Sequence, residues 1–300
     1  KSFLWPDNRE ETGDYDQRVM RAVRLNLCRP IVDLYTAHVF AKTIVREAGA
    51  AAILEPLWAD VNMRGMTIDE WMAEGITGAQ IFGHMFAVTD LSTGAAEVRT
   101  LADQLAANVR PYATWFTPLQ VIDWQVDGFG DFLWLRLVEN DPSDLRQRPG
   151  QAVTTHRRYR TWYPDHWEIT GEHDSESRGS GRQCPICGAE GVDEAGPNAL
   201  GRVPVEVLYR QRVPGSVEPL GVSLLTEIAP ADREVANLVS RRQTLLYHQG
   251  VPLLAVPDPG RQLKRIELTV HRALPYNPAQ GGGPPTYVAP PTDSVRVLDE

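Results

Sequence analysis

The spacing of apolar residues changes near Pro111, and this change narrows the possible folds more than any other feature. Upstream, Val19, Ala22, Val23, Leu27, Ile31 and Leu34 recur every three or four positions, the repeat of a helix with one apolar stripe. The pattern predicts helix from about Asp14 to Ala48, broken or kinked at Pro30, which lacks the N–H its ladder needs. A second helix is expected from Ile68 to His84, with Thr67 and Glu70 in the T-x-x-E spacing of a capping box. A third is expected from Thr100 to just before Pro111. Downstream, PLQVIDWQV, DFLWLRLVE and HRRYRTWYPDHWEI alternate or run apolar over short lengths rich in Val, Trp, Tyr and Leu. These read as strands, with turns at Asp127-Gly128 and from Pro142 to Pro149. Helices and strands that segregate along the chain predict an α+β fold.

Residues 171–200 form a long polar insertion with no periodicity, and VPVEVLYRQ then resumes a strand. A fourth helix is expected from Ala231 to His248, with Val235, Leu238, Val239, Leu245 and Leu246 as its apolar positions and Gly250 as its terminator. VPLLAVPDPG and RIELTVHRALPY read as strands, and PAQGGGPPTYVAPP as a stretch unable to pack a core. DSVRVLDE reads as the first turns of a helix, and a chain continuing past Glu300 and beginning before Lys1 is expected.

The 300 residues suffice for one large or two medium domains. A net charge of −9 argues against tight wrapping around nucleic acid, which rests on neutralised phosphates, yet permits a surface that a duplex slides past. No stretch approaches the ~18–20 apolar residues that span a bilayer. The opening lacks the apolar segment of a secretory signal, and three cysteines do not make a disulfide framework, so folding in a reducing cytoplasm is expected.

The order of these pieces resembles the portal proteins of tailed bacteriophages. GDYDQRVMRAVRLN followed by RPIVDLYTAHVF is similar to the family's opening. RPYATWFTPLQVIDW resembles its Arg-Pro-Tyr, aromatic run and I-x-W strand. LLTEIAPADREVANLVSRRQTLLYHQGVPLLAV is similar to its long helix running into a strand-rich module, and YVAPPTDSVRVLDE to the lead into a return helix. The resemblance implies a portal fold: a helical and strand-rich wing over residues 1–219, with the insertion at 171–200, a stem helix over 220–250, a small clip over 251–291 and the start of a return stem helix over 292–300. It further implies a homo-oligomeric ring, usually a dodecamer of about twelve copies, at the capsid vertex of a virion assembled in the host cytoplasm. Double-stranded DNA would pass through the channel during packaging and ejection. The terminase large subunit and head-completion or adaptor proteins would dock on it, and major capsid or scaffold protein would surround it. No membrane takes part. The family's channel loop would follow Glu300.

Local constellations leave room for other readings. Cys184 and Cys187, in Cys-Pro-Ile-Cys-Gly, form half of a tetrahedral zinc site, which His173, His166 or His156 could complete. A reduced pair in a loose insertion and a redox role fit the same spacing. Arg233, Arg241, Arg242 and His248 are candidates to face DNA or a neighbouring subunit, and solvated helix residues would look the same. Trp115, Trp124, Trp134, Trp162 and Trp167 fit sheet core or an interface better than nucleic-acid stacking. The basic run Arg157, Arg158 and Arg160 suits either a partner or a solvated strand edge. No phosphate-binding loop, dinucleotide motif, H-E-x-x-H or G-x-S-x-G is present, and GFG is turn chemistry, so bond-making catalysis is not expected and no cofactor is required. The alternatives are a zinc- or CxxC-dependent enzyme and a zinc-stapled binding module.

Overall fold

Thr67 sits in extended backbone and accepts from the Glu70 N–H, while the Glu70 carboxylate accepts from the Thr67 N–H. This reciprocal cap starts the helix Ile68–Phe82 as its spacing predicts, and Gly83, in the left-handed region at φ 91°, ends it. The computed structural model describes residues 3–6, 12–23, 25–42, 44–45, 55–91, 100, 109–140, 157–171, 183, 191–250, 253–257, 266–267, 272–276 and 286–288. They fall into two units, one of residues 28–227 and one that combines 1–27 with 228–300. The helices are α1 (Thr12–Arg21), α2 (Cys28–Val39), α3 (Glu55–Ala59), α4 (Ile68–Phe82) and α5 (Leu225–Gly250).

In the unit of residues 28–227, β1 (His84–Leu91) lies between β2 (Pro111–Phe116) and β8 (Val205–Tyr209) in a three-stranded antiparallel sheet. A five-stranded antiparallel meander follows: β3 (Val121–Val126), β4 (Phe132–Asn140), β5 (Arg157–Trp162), β6 (His166–Gly171) and β7 (Glu194–Pro197). Phe86 and Val88 of β1 pack with Leu135 and Leu137 of β4, Trp162 of β5 and Val205 of β8, so the two sheets share one core. Each such fully buried side chain contributes about 1.5–3 kcal/mol. Because strand residues alternate, Met85 turns the other way, to α4. There Gly75 and Gly78 let the helix approach: a Cβ would sit 2.2 Å from the Trp115 ring and 2.6 Å from the Met85 sulfur. Trp115 stacks on Trp71 at 4.2 Å and donates to the Trp71 carbonyl (2.7 Å). Thr36 of α2 meets Thr77 of α4 at 3.2 Å and accepts from Gln80 at 3.1 Å.

The N-terminal helix expected to run from Asp14 is two helices, and their separation at residues 22–27 precedes Pro30. Pro30 is the third residue of α2, where its missing N–H would have no intrahelical partner anyway. The expected stripe is largely exposed: Val19, Val23, Leu27 and Leu34 stand out, while Arg18 and Val32 are buried instead. Strand β1 occupies a stretch in which no strand is expected, and β7 forms at the end of the supposedly aperiodic insertion. The third expected helix lies almost wholly outside the described residues, as do residues 292–300.

In the other unit, β9 (Leu253–Pro257), β10 (Ile266–Glu267), β11 (Arg272–Tyr276) and β12 (Thr286–Val288) form a sheet in the order β10-β11-β9-β12. Only the β11–β9 pairing is parallel. Strand β12 comes from the Pro- and Gly-rich stretch, which pairs at a sheet edge. The chain's architecture is α+β. Among the described residues no helix is long and apolar enough to cross a membrane.

Candidate functional site

Helix α5 begins six residues before the expected Ala231 and contains Pro230. One side of it is small and polar and serves the chain itself: Asp232, Ala236, Asn237 and Ser240 are all buried. Asn237 accepts from the Trp5 N–H (2.8 Å) and Asp232 from the Leu27 N–H (3.1 Å). At 100° per residue the opposite side carries Ala231, Val235, Leu238 and Leu246, with Arg242 among them. Val235, Leu238 and Leu246 are 39%, 49% and 45% exposed. Of the other expected apolar positions, Val239 is half-buried and the side chain of Leu245 lies outside the described residues. Glu234 and Arg241 are exposed as well.

The candidate cations on α5 divide. Arg233 is occupied within its own unit: its Nε donates to the Phe3 carbonyl (2.8 Å) and its guanidinium lies 4.7 Å from the Trp5 ring centre. Arg241 and Arg242 follow one and two residues after the buried Ser240. His248 belongs to α5, and its side chain lies outside the described residues.

The zinc set is not assembled among the described residues, since Cys184, Cys187, His173 and His156 all lie outside them. His166 is buried at the start of β6, with Nδ1 2.8 Å from Asp165 and Nε2 3.4 Å from Glu168, and it stacks on Tyr163. The hydrogen bond from His166 holds the Asp165 carboxyl below the ordinary range. The insertion leaves at Gly171, five residues on, about 16 Å along an extended strand. At the β5–β6 turn the His166 carbonyl accepts from the Tyr163 N–H (2.8 Å). No group of three or more His, Cys, Asp or Glu among the described residues is placed to hold a metal ion.

The basic run of β5 is also turned to internal use. Arg158 pairs with Glu194 at 3.1 Å. Arg160 pairs with Asp90 at 3.1 Å and Glu139 at 2.9 Å, beneath the rings of Trp167 and Trp162. Tyr112 donates to Asp90 at 3.4 Å, so one network of charge joins the two sheets. Burial pushes the Asp90 carboxyl up, and burial with the Asp90 charge pushes the Tyr112 phenol to about 12.

No protein-family model matches the chain, and no curated protein matches it. The described residues present several distinct surfaces.

Two of these carry no motif. Phe129 is 92% exposed at the tip of the β3–β4 hairpin. The Asp127 carboxylate fixes that tip by accepting from the Phe129 and Asp131 N–H groups at 2.8 and 2.9 Å. Elsewhere in the same unit, Tyr35, Val39, Ile76, Ala79 and Leu208 line a groove of about 260 Å³. Gln80, 6% exposed, lines it too, and its Oε1 has no hydrogen-bond partner among the described residues. An aromatic residue between two glycines at a turn is a legible signal for the first feature. The groove combines residues far apart in sequence and has no local signature.

Proposed function

We propose that this chain is a structural portal subunit, built to stand beside identical copies in a ring that passes double-stranded DNA at a capsid vertex. The observation that carries this reading is the exposure of three apolar residues of α5, Val235, Leu238 and Leu246. A helix of 26 residues, about 39 Å long, leaves Val235, Leu238 and Leu246 in water while spending its polar side on the N-terminal segment. Each of those side chains would contribute about 1.5–3 kcal/mol if fully covered, so the arrangement favours a neighbour. The strand-rich module directly after α5 and the order of sequence motifs support the same portal fold, with wing, stem and clip. Cyclic closure turns modest repeated contacts into a stable assembly of about twelve copies.

The work of such a subunit is geometric and needs no bond-making step. Terminase and head-completion proteins would dock on the ring in the virion. A zinc at Cys184 and Cys187 would be a local staple for the insertion, lost from metal analysis when both are replaced by serine. The test of the main reading is electron microscopy of the full-length protein beside its Leu238→Asp variant. Annular particles from the parent that fall apart in the variant are expected. Monodisperse monomers from the parent would overturn the reading.

A further inference from the structure

The unit of residues 28–227 carries both a projecting aromatic ring, Phe129, and a small groove on α2, α4 and β8. The hairpin tip is a rigid projection, because Asp127 accepts from two tip N–H groups and its own N–H donates to the Asp131 carbonyl (2.9 Å). The Asp131 and Phe129 N–H groups hold the Asp127 carboxyl below the ordinary range, so it is ionised at neutral pH. An aromatic ring held this far into water on a pinned turn gives up little freedom when it docks. The groove is below the ~300–1,000 Å³ of small-molecule sites and suits one inserted side chain. Its rim is apolar where α2 exposes Tyr35 (53%) and Val39 (55%). Two further features call for a partner of particular chemistry. The buried Gln80 Oε1, unpartnered among the described residues, calls for a donor such as a backbone N–H. Arg210 at the edge of the groove offers positive charge to the carboxylates of Asp127 and Asp131 that flank Phe129.

We infer that Phe129 of one copy inserts into the groove of the next, with Asp127 and Asp131 beside Arg210 and a hairpin N–H on Gln80. The occupant is a second copy of this chain. Knob and groove are different patches, so the contact is head-to-tail and repeats from copy to copy, as a closed ring requires. This inference rests on the ring reading and names a contact within it.

The test uses the full-length protein in which Phe129→Cys and Val39→Cys are made singly and mixed under mild oxidation. A covalent dimer that appears in the mixture and in neither variant alone is expected. The chain carrying both substitutions should give a ladder of oligomers. Both replaced side chains are exposed, so folding should survive. As a second measurement, Phe129→Ala should weaken self-association about 10–100-fold, the usual loss at an aromatic hot spot. Arg210→Glu should weaken it as well, and adding Asp131→Arg in the same chain should restore it. Rings that form without the cross-link and are indifferent to Phe129→Ala would overturn this contact and leave the ring reading intact. A parent protein that forms no rings at all would overturn both.

Discussion

Gly83 and Gly221 meet backbone to backbone: a Cβ on Gly83 would sit 2.3 Å from the Gly221 carbonyl oxygen, and a Cβ on Gly221 would sit 2.2 Å from the Gly83 carbonyl oxygen. The contact seats the segment that starts α5 against the end of α4. Leu224 donates to the Gln80 carbonyl (2.9 Å), and the Ser223 hydroxyl donates to the Ile81 carbonyl (2.6 Å). The same hydroxyl accepts from the Leu225 N–H (2.9 Å). The last carbonyls of one helix and the first N–H of another thus share a single serine.

Replacing Gly221 with alanine should destabilise the fold by about 1–3 kcal/mol, the usual effect of overpacking where backbone must move. Gly83→Ala should lose more, because φ 91° adds left-handed strain of about 1–3 kcal/mol. Gly215 also has positive φ, but with open space around its Cβ, so Gly215→Ala reports strain without collision. Urea unfolding of the three variants separates the contributions. A Gly221→Ala protein as stable as the parent would show that the backbones can part at no cost.

At the other end of α4, Thr67→Ala should cost about 1 kcal/mol, while Thr67→Ser, which keeps the accepting hydroxyl, should be nearly neutral. The Thr67 N–H and hydroxyl hold the Glu70 carboxyl below its ordinary range. For a depressed carboxyl the stabilising contribution is present above the ordinary glutamate value. It is lost as pH falls through the lower, folded-state value. Acid unfolding should therefore be less steep in Glu70→Gln than in the parent. Equal slopes would mean that the cap contributes nothing.

This cap is legible in sequence because all its parts lie within four residues. Strand β1 is not, because its first three residues are buried between α4 on one face and the second sheet on the other, which hides a period of two. The stripes on α1 and α5 show the opposite limit. Periodicity tells which side of a helix is apolar, yet Val19, Val235 and Leu238 show that it does not tell what that side faces. Inside the chain, polar groups anchor those helices: Arg18 donates to the Trp5 carbonyl (2.7 Å), and Asn237 accepts from the Trp5 N–H. The zinc expectation rests on spacing alone: of its residues only His166 is described, with Nδ1 against Asp165 and Nε2 3.4 Å from Glu168.

The charge network between the sheets should be visible in an ultraviolet titration of tyrosinate. One tyrosine, absent from the Tyr112→Phe variant, should ionise near pH 12, above the ordinary ~10. A phenol raised in this way adds stability that is fully present below the ordinary value and lost as pH rises through the folded-state value. The parent should therefore lose stability more steeply than Tyr112→Phe between about pH 10 and 12. A Tyr112 that ionises with the exposed tyrosines would mean that it is not shielded by the two sheets.

Arg233 provides the sharpest separation between a residue that serves the fold and one that serves DNA. Its guanidinium donates to the Phe3 carbonyl and lies over the Trp5 ring, which is itself 46% exposed. A hydrogen bond from a charged donor and a cation–π contact of this kind together contribute about 1–3 kcal/mol. Arg233→Ala should therefore release the first residues from α5, seen as faster amide exchange at Trp5 and a shift in its fluorescence. Arg233→Lys should recover little, because a lysine has neither the planar face nor the fork of donors. If Arg233 acted on DNA instead, lysine would rescue through charge, and alanine would change the salt dependence of DNA contact while leaving the Trp5 amide protected.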